Sequence, residues 1–244
     1  MGSPAGIPET VVAIDWSGAK DLSAQRRTIC TAVAEDSGIS AFDGRTREQA
    51  IENLESLPGS VVAGIDMSFG VPSWFASDHD CSTITEVWEA AERDGERWLE
   101  PVAPFWRDRQ TVPYERRFRA CEVRLREAGY AAKSIFQLVG NGQVGAGSVR
   151  GMPYLARLRK AGFAIWPFDP PGERTVLEIY PSLLRKTMPY DDAEFENEHE
   201  RDAVLSAAAM WIHRESFADL TAANDPVTML EGDVWTPPGV LAAI

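Results

Sequence analysis

Val11 to Lys20 reads VVAIDWSGAK, an apolar run that delivers one aspartate, Asp15, at its end. A carboxylate at the edge of a core is costly unless it is paired, hydrogen-bonded or bound to a metal, because the charged form loses its hydration. The chain nearly repeats the run fifty residues later as Val61 to Ser68, VVAGIDMS. Two strands thus end in Ile-Asp-x-Ser. If the two lie side by side in parallel, Asp15 and Asp66 meet at the carboxyl edge of a sheet, where open α/β sheets place ligand sites.

The residues between the two runs favour that pairing. Ser17 to Gln25 reads as turn material. Arg27 to Glu35 alternates as a half-buried strand, Asp36-Ser37-Gly38 turns, and Ile39 to Phe42 makes a third strand of an antiparallel meander. Thr46 and Gln49 form a capping-box pattern before Ala50, Ile51, Leu54 and Leu57, and Pro58-Gly59 ends that helix. A helical crossover lets the Asp66 strand join in parallel.

From Val71 to about Lys133 the pattern is helical and aromatic, with helices expected over Thr85 to Leu99 and Tyr114 to Ala128. Trp74, Phe75, Phe105 and Trp106 suit core packing better than stacking on bases. Ile135 to Val139 reads as a strand leading into Gly140-Asn-Gly142-Gln-Val-Gly145-Ala-Gly147. That run contains GxGxxG, but it lies late in the chain, no helix is expected at its third glycine, and the acid expected about 20 residues on is missing. The alternative is a loop whose amides face a phosphate. Met152 to Ala161 reads as a basic helix, and Phe163 to Phe168 and Thr175 to Tyr180 as strands. Glu178 interrupts the second of these from the inside. Asn197 opens the last helix, where Asp202 shares a stripe with Leu205, Ala209 and Ile212, and Glu198 precedes it by one turn.

Four acids, Asp15, Asp66, Glu178 and Asp202, therefore converge in the inferred architecture. Hard oxygen donors of this kind select Mg²⁺ or Mn²⁺. No Ser-His-Asp pattern or nucleophilic cysteine accompanies them. Cys30, Cys81 and Cys121 lack a CxxC and read as reduced packing residues.

Composition sets the outer bounds. The 244 residues are 44% hydrophobic and 25% charged, ordinary globular values, and no apolar run nears the roughly 18 residues of a membrane span. The N-terminus resembles no leader peptide, so a cytoplasmic location is expected. The net charge of −13 opposes nucleic acid, but its distribution is uneven. Arg107 to Lys160 holds twelve Lys or Arg against four acids, so it carries +8 and the remainder −21. This segment is either a footprint for nucleic acid or another phosphate-bearing ligand, or a basic face folded against the acidic remainder.

The motifs AIDWSG, GIDMSFGVP, KSIFQLVG, VGAGSVRGMP, LEIYPS, HERDA and EGDVWTPP, in this order, resemble the family called domain of unknown function 429, grouped with the ribonuclease H-like superfamily and described as predicted nucleases. The resemblance runs from Val11 to about Ile212. It implies a single α/β domain over 1–244, with a ribonuclease H-like mixed five-stranded sheet. Three antiparallel strands precede the parallel ones, helices flank them, and a helical insertion occupies about 71–133. It also implies Asp15, Asp66 and Asp202 as metal ligands with Glu178 close by. Ser17, Ser68, Lys133, Arg150 and His199 are the candidate substrate contacts. A closely spaced acid pair in the final helix, frequent in well-understood nucleases of the superfamily, is absent unless Glu198 joins Asp202.

The leading expectation is a metal-dependent phosphodiester hydrolase acting on nucleic acid. A nucleotide-using phosphotransferase or ATPase, gripping phosphates with Ser17-Gly18 and the Gly140 to Gly147 loop, is the second reading. A non-catalytic binding module is the third.

Overall fold

The computed structural model describes residues 6–100, 103–107, 111–139, 144–188 and 195–241. The opening run forms β1 (Thr10–Asp15), buried along its whole length. Such a strand needs a neighbour on each edge and a layer on each face. Helix α1 (Leu22–Thr28) follows where turn material is expected, and Asp21 caps it through the Ala24 amide. Only Gln25 of this helix is buried, so no apolar stripe announces it. The next strand, β2 (Cys30–Glu35), consequently starts three residues later than the alternation predicts, and β3 (Gly38–Phe42) completes the meander.

Helix α2 (Arg47–Ser56) has the expected capping box, with Thr46 and Gln49 each satisfying the other's backbone amide. Such caps contribute about 1 kcal/mol. The crossover delivers β4 (Val61–Ile65) parallel to β1 with Ile14 opposite Ile65, so Asp15 and Asp66 follow side by side.

The chain then builds α3 (Ser73–Asp78), α4 (Ile84–Trp98), a tight helical turn at Tyr114–Arg116 and α5 (Ala120–Glu127), which divides the single helix expected there. Phe75, Phe105 and Trp106 are core residues, and Trp74 carries the Arg116 guanidinium on its ring. Ile135 to Val139 is not a strand. It makes one isolated bridge with Trp106, and Ile135, Phe136 and Leu138 are buried without a ladder.

Helix α6 (Val144–Lys160) starts eight residues before the expected basic helix, so a helix does open at the glycine run; residues 140–143 lie outside the described residues. The glycines serve close packing. A Cβ on Gly145 would stand 2.2 Å from the Ile135 carbonyl oxygen, one on Gly151 2.0 Å from the Met67 sulfur, and one on Gly18 2.5 Å from the Gly147 amide.

After α6 come β5 (Ala164–Ile165), two residues instead of six, and β6 (Arg174–Glu178). Among the described residues the sheet thus has six strands in the order β3-β2-β1-β4-β6-β5, not five, because the short β5 adds to the edge beyond β6. Helix α7 (Pro181–Leu184), a turn at Arg185–Thr187, α8 (Glu198–Ile212) and α9 (Thr228–Glu231) follow. One core lies between one sheet face and α2, α4 and α6; the other lies under α5, α7 and α8. Among the described residues, no helix is long and apolar enough to cross a membrane.

Candidate active site

Alternation along the strands decides which acids meet. Val12 and Ile14 of β1 and Ala63 and Ile65 of β4 enter the α6-side core, whereas Val11, Ala13 and Val62 enter the α8-side core. Asp15 and Asp66, one residue further along, therefore face α8. There the Nδ1 of His199, in the first turn of α8, lies 2.6 Å from Asp15 Oδ2. Asp202 follows His199 by three residues and so shares its helix face. His199, one of the expected substrate contacts, is thus a partner of Asp15.

Each acid of this face is raised above its ordinary range. Burial pushes Asp15 up to about 6; the His199 contact opposes the rise and the charge of Asp202 adds to it. Asp66 is raised well above 3.8 by burial first, then by Asp15, Asp202 and Glu178. It retains some exposed surface although protein surrounds it densely. Among the described residues its carboxylate accepts no hydrogen bond. Burial also raises Asp202, while Arg185, donating from Nη1 to Asp202 Oδ1 at 2.7 Å, draws it down. The same arginine lowers Asp15 and Asp66 through its charge. His199 is raised by its bond to Asp15.

Glu178 does not belong to this cluster. It stands in register with Ile65, not Asp66, and therefore points to the opposite face. There it meets Arg119, which is 1% exposed. Arg119 Nη2 lies 2.5 Å from Glu178 Oε1 and Nη1 lies 2.9 Å from Oε2, and the Phe69 amide also donates to Oε2. Arg119 further donates to Glu122, to the Glu231 carbonyl and to Ser68 Oγ. Burial raises Glu178, and Arg119 opposes the rise.

Of the other expected contacts, Ser17, Ser68 and Arg150 are occupied inside the fold. Ser17 Oγ accepts from the Ala19 amide and from Thr28 Oγ1, and the Ser68 amide donates to Ser148 Oγ. Arg150 holds Glu96 of α4 and the Gly18 carbonyl, tying the turn after β1 to the helical layer. Lys133 is half-buried and makes no ion pair among the described residues. Glu198 does not supply a second carboxylate beside Asp202, since its side chain is 71% exposed and pairs with Arg201. The stripe through Asp202 is only partly a core stripe, with Leu205 and Ala209 buried and Ile212 exposed.

The basic segment is largely spent internally. Arg119, Arg124, Arg150, Arg157 and Arg159 each hold an acid, most of them from outside the segment. This favours the folded-face reading over a phosphate footprint. Nor do the cysteines offer a nucleophile: all three are buried free thiols, and burial followed by the Asp15 charge pushes Cys30 up to about 12.

Sequence reasoning missed Arg185 and Arg119. Arg185 gave no signal, whereas Arg119 and Glu122 carry the spacing of a helix-start pair. A recess of about 490 Å³ beside Lys20, Arg107 and Arg150, and one of about 310 Å³ beside Arg124 and Trp235, are lined by none of the three acids.

Hard oxygen donors and a densely surrounded carboxylate without a hydrogen bond fit a divalent cation in chemistry. In geometry, no three His, Cys, Asp or Glu side chains among the described residues are arranged to hold a metal ion. Asp202 is drawn to Arg185 and Asp15 to His199. No family model, curated protein or solved structure matches the chain.

Proposed function

We propose that the chain is a Mg²⁺- or Mn²⁺-dependent phosphodiester hydrolase of ribonuclease H-like architecture, acting on nucleic acid through Asp15, Asp66 and Asp202. The observation that carries this reading is Asp66. Its carboxylate accepts no hydrogen bond among the described residues, and it faces two further carboxylates at the carboxyl edge of the sheet. A structural acid would be matched by donors, as Glu178 is. The order β3-β2-β1-β4-β6, antiparallel and then parallel, supports the architecture.

In this reading Asp15 and Asp66 are the fixed ligands, because the β1–β4 ladder sets their spacing. Asp202, held by Arg185 Nη1, would be the third ligand, contributed from α8. His199 holds Asp15 Oδ2 and orients the carboxylate, whose Oδ1 accepts no hydrogen bond among the described residues. Glu178 takes no part in ligation; with Arg119 it fixes Ser68 and Phe69, two and three residues after Asp66. When bound, the cation supplies Lewis acidity at a phosphoryl oxygen and lowers the pKa of a bound water.

Nucleic acid as substrate rests on the resemblance, no longer on the basic segment. The phosphotransferase reading loses support, because Gly145 and Gly147 lie within α6 and Gly18 is packed against it.

The test is incubation of the full chain with a panel of DNA and RNA structures in Mg²⁺ or Mn²⁺. Cleavage that disappears in chelator and in Asp15→Asn supports the proposal. Cleavage indifferent to Asp15→Asn, or none at all, sinks it.

A further inference from the structure

The two edges of the sheet are finished differently. At one, β5 is only two residues long. At the other, β3 is five residues long, reads GISAF and is exposed at every position. Edge strands are ordinarily guarded by a charge, a proline or a bulge, because their unpaired amides and carbonyls template another strand. β3 carries neither charge nor proline, pairs with β2 in unbroken register, and keeps Ile39 and Phe42 38% and 41% exposed. Among the described residues β2 is its only strand neighbour.

We propose that β3 pairs antiparallel with β3 of a second copy of this chain, about a two-fold axis through Ser40, and so joins two sheets into one. The proposal does not rest on the metal-site reading.

The register follows from the hairpin. Glu35 and Gly38 flank a two-residue turn and exchange backbone bonds, so bonding to β2 continues through Ser40 and Phe42, and the amides and carbonyls of Ile39 and Ala41 point out to the free edge. Across a new ladder, opposed residues must both point outward and must carry their side chains on the same sheet face. Of the two-folds that satisfy this, the one through Ser40 pairs the whole strand. Ile39 then exchanges bonds with Ala41 of the second copy, and Phe42 stands opposite its Gly38, where the ring covers backbone that has no side chain.

The ends of the strand differ in charge. Glu35 and Asp36 precede it. Arg45 follows it and lies on the Phe42 ring, and Arg26 is tied to the same end by the Gly44 amide, with Asp43 between them. Antiparallel pairing sets the basic end of each copy against the acidic end of the other. An unlike strand would have to reproduce that order of charge, whereas a second copy does so by symmetry. A five-residue ladder buries less than the roughly 1,200 Å² of stable interfaces, so the dimer is weak, with a dissociation constant on the order of 100 μM.

The test is disulfide trapping of the full chain under mild oxidation, comparing Ser40→Cys, Ile39→Cys and Ser77→Cys. The native cysteines are buried. At the two-fold, position 40 faces its own copy as a non-hydrogen-bonded pair with about 4.5 Å between Cα atoms, within disulfide reach. Ser40→Cys should therefore form linked dimer roughly tenfold or more faster than Ile39→Cys, which faces Ala41 of the second copy, and than Ser77→Cys, an exposed residue of α3. Equal rates mean chance collision and overturn the proposal. Ala41→Pro removes an outward amide and spares the β2 ladder, so adding it to Ser40→Cys should abolish the excess linking while circular dichroism stays native. Linking undiminished by the proline overturns the proposal as well. Sedimentation of the wild type from about 10 μM to about 1 mM should show the average mass rising from one chain toward two, with Ala41→Pro remaining at one. A wild type that stays single throughout leaves the edge to an unlike strand and overturns the proposal.

Discussion

Two carboxylate clusters meet the carboxyl edge of the same sheet and are built on opposite principles. On one face Glu178 and Glu122 surround Arg119, and each of their four carboxylate oxygens accepts a bond from a guanidinium or a backbone amide. On the other, Asp15, Asp66 and Asp202 rely on one imidazole and on guanidiniums that are partly exposed or shared. The first cluster is satisfied and joins four segments: the loop after β4, the start of α5, the end of β6 and the chain at Glu231. Among the described residues the second has fewer charged donors close to its carboxylates. A fold tolerates such a deficit at a site that is completed by a ligand, so position at a sheet edge does not by itself separate a structural acid from a functional one; the donors around it do.

The comparison is most exposed to failure at Arg119. Arg119→Met leaves Glu122 and Glu178 buried without their cation and should destabilise the protein by about 3–5 kcal/mol. A urea midpoint barely changed would mean that the satisfied cluster is not satisfied by Arg119.

The pH dependence of the metal-free protein probes the other face. Folded Asp15, raised from 3.8 to about 6, keeps a proton that the unfolded chain has already released between those values. Stability therefore falls as pH rises through that window, by on the order of 3 kcal/mol from Asp15 alone. His199 is also raised, so its contribution is present below its ordinary value of 6.5 and is lost as pH rises through its folded value, in the same direction. Urea denaturation in chelator at a series of pH values should show the decline in wild type and a flatter profile in Asp15→Asn. Parallel profiles would contradict the charge deficit.

The same chemical change on the two faces sharpens the contrast. Glu178→Gln removes a charge that Arg119 needs and should cost about 2 kcal/mol. Asp66→Asn removes a charge that no donor among the described residues bonds and should leave metal-free stability unchanged or raise it by up to about 1 kcal/mol. Equal losses would erase the distinction. Smallest of all, Lys133→Ala lies outside both clusters and should change stability by no more than about 0.5 kcal/mol, as a denaturation curve would show.

The Ile-Asp-x-Ser ends shared by VVAIDWS and VVAGIDMS pointed to Asp15 beside Asp66, although the second run is one residue longer and the Val-Val-Ala stretches pair one residue out of step, Val11 with Val62 and Ile14 with Ile65. The Thr46 capping box was equally readable. His199 was within reach of sequence, three residues before Asp202 and hence on its face. Glu178 was not, because which face a strand residue takes depends on register, and a slip of one residue moves it to the other side. Its pairing with Ile65 instead of Asp66 is fixed by how β6 meets β4, and nothing local records that. Helix α1 escaped for another reason: it is held by the Asp21 cap and the packing of Gln25, without an apolar stripe. The glycines of α6 looked like a phosphate loop because close helix packing and close phosphate approach both require the absence of a Cβ.

The central claim is that the under-compensated face takes a divalent cation. Crystals of the full chain soaked in Mn²⁺ and measured at the manganese absorption edge test it most directly. The account predicts an anomalous peak touching Asp15 and Asp66. A structure in which the acids carry no peak would contradict it.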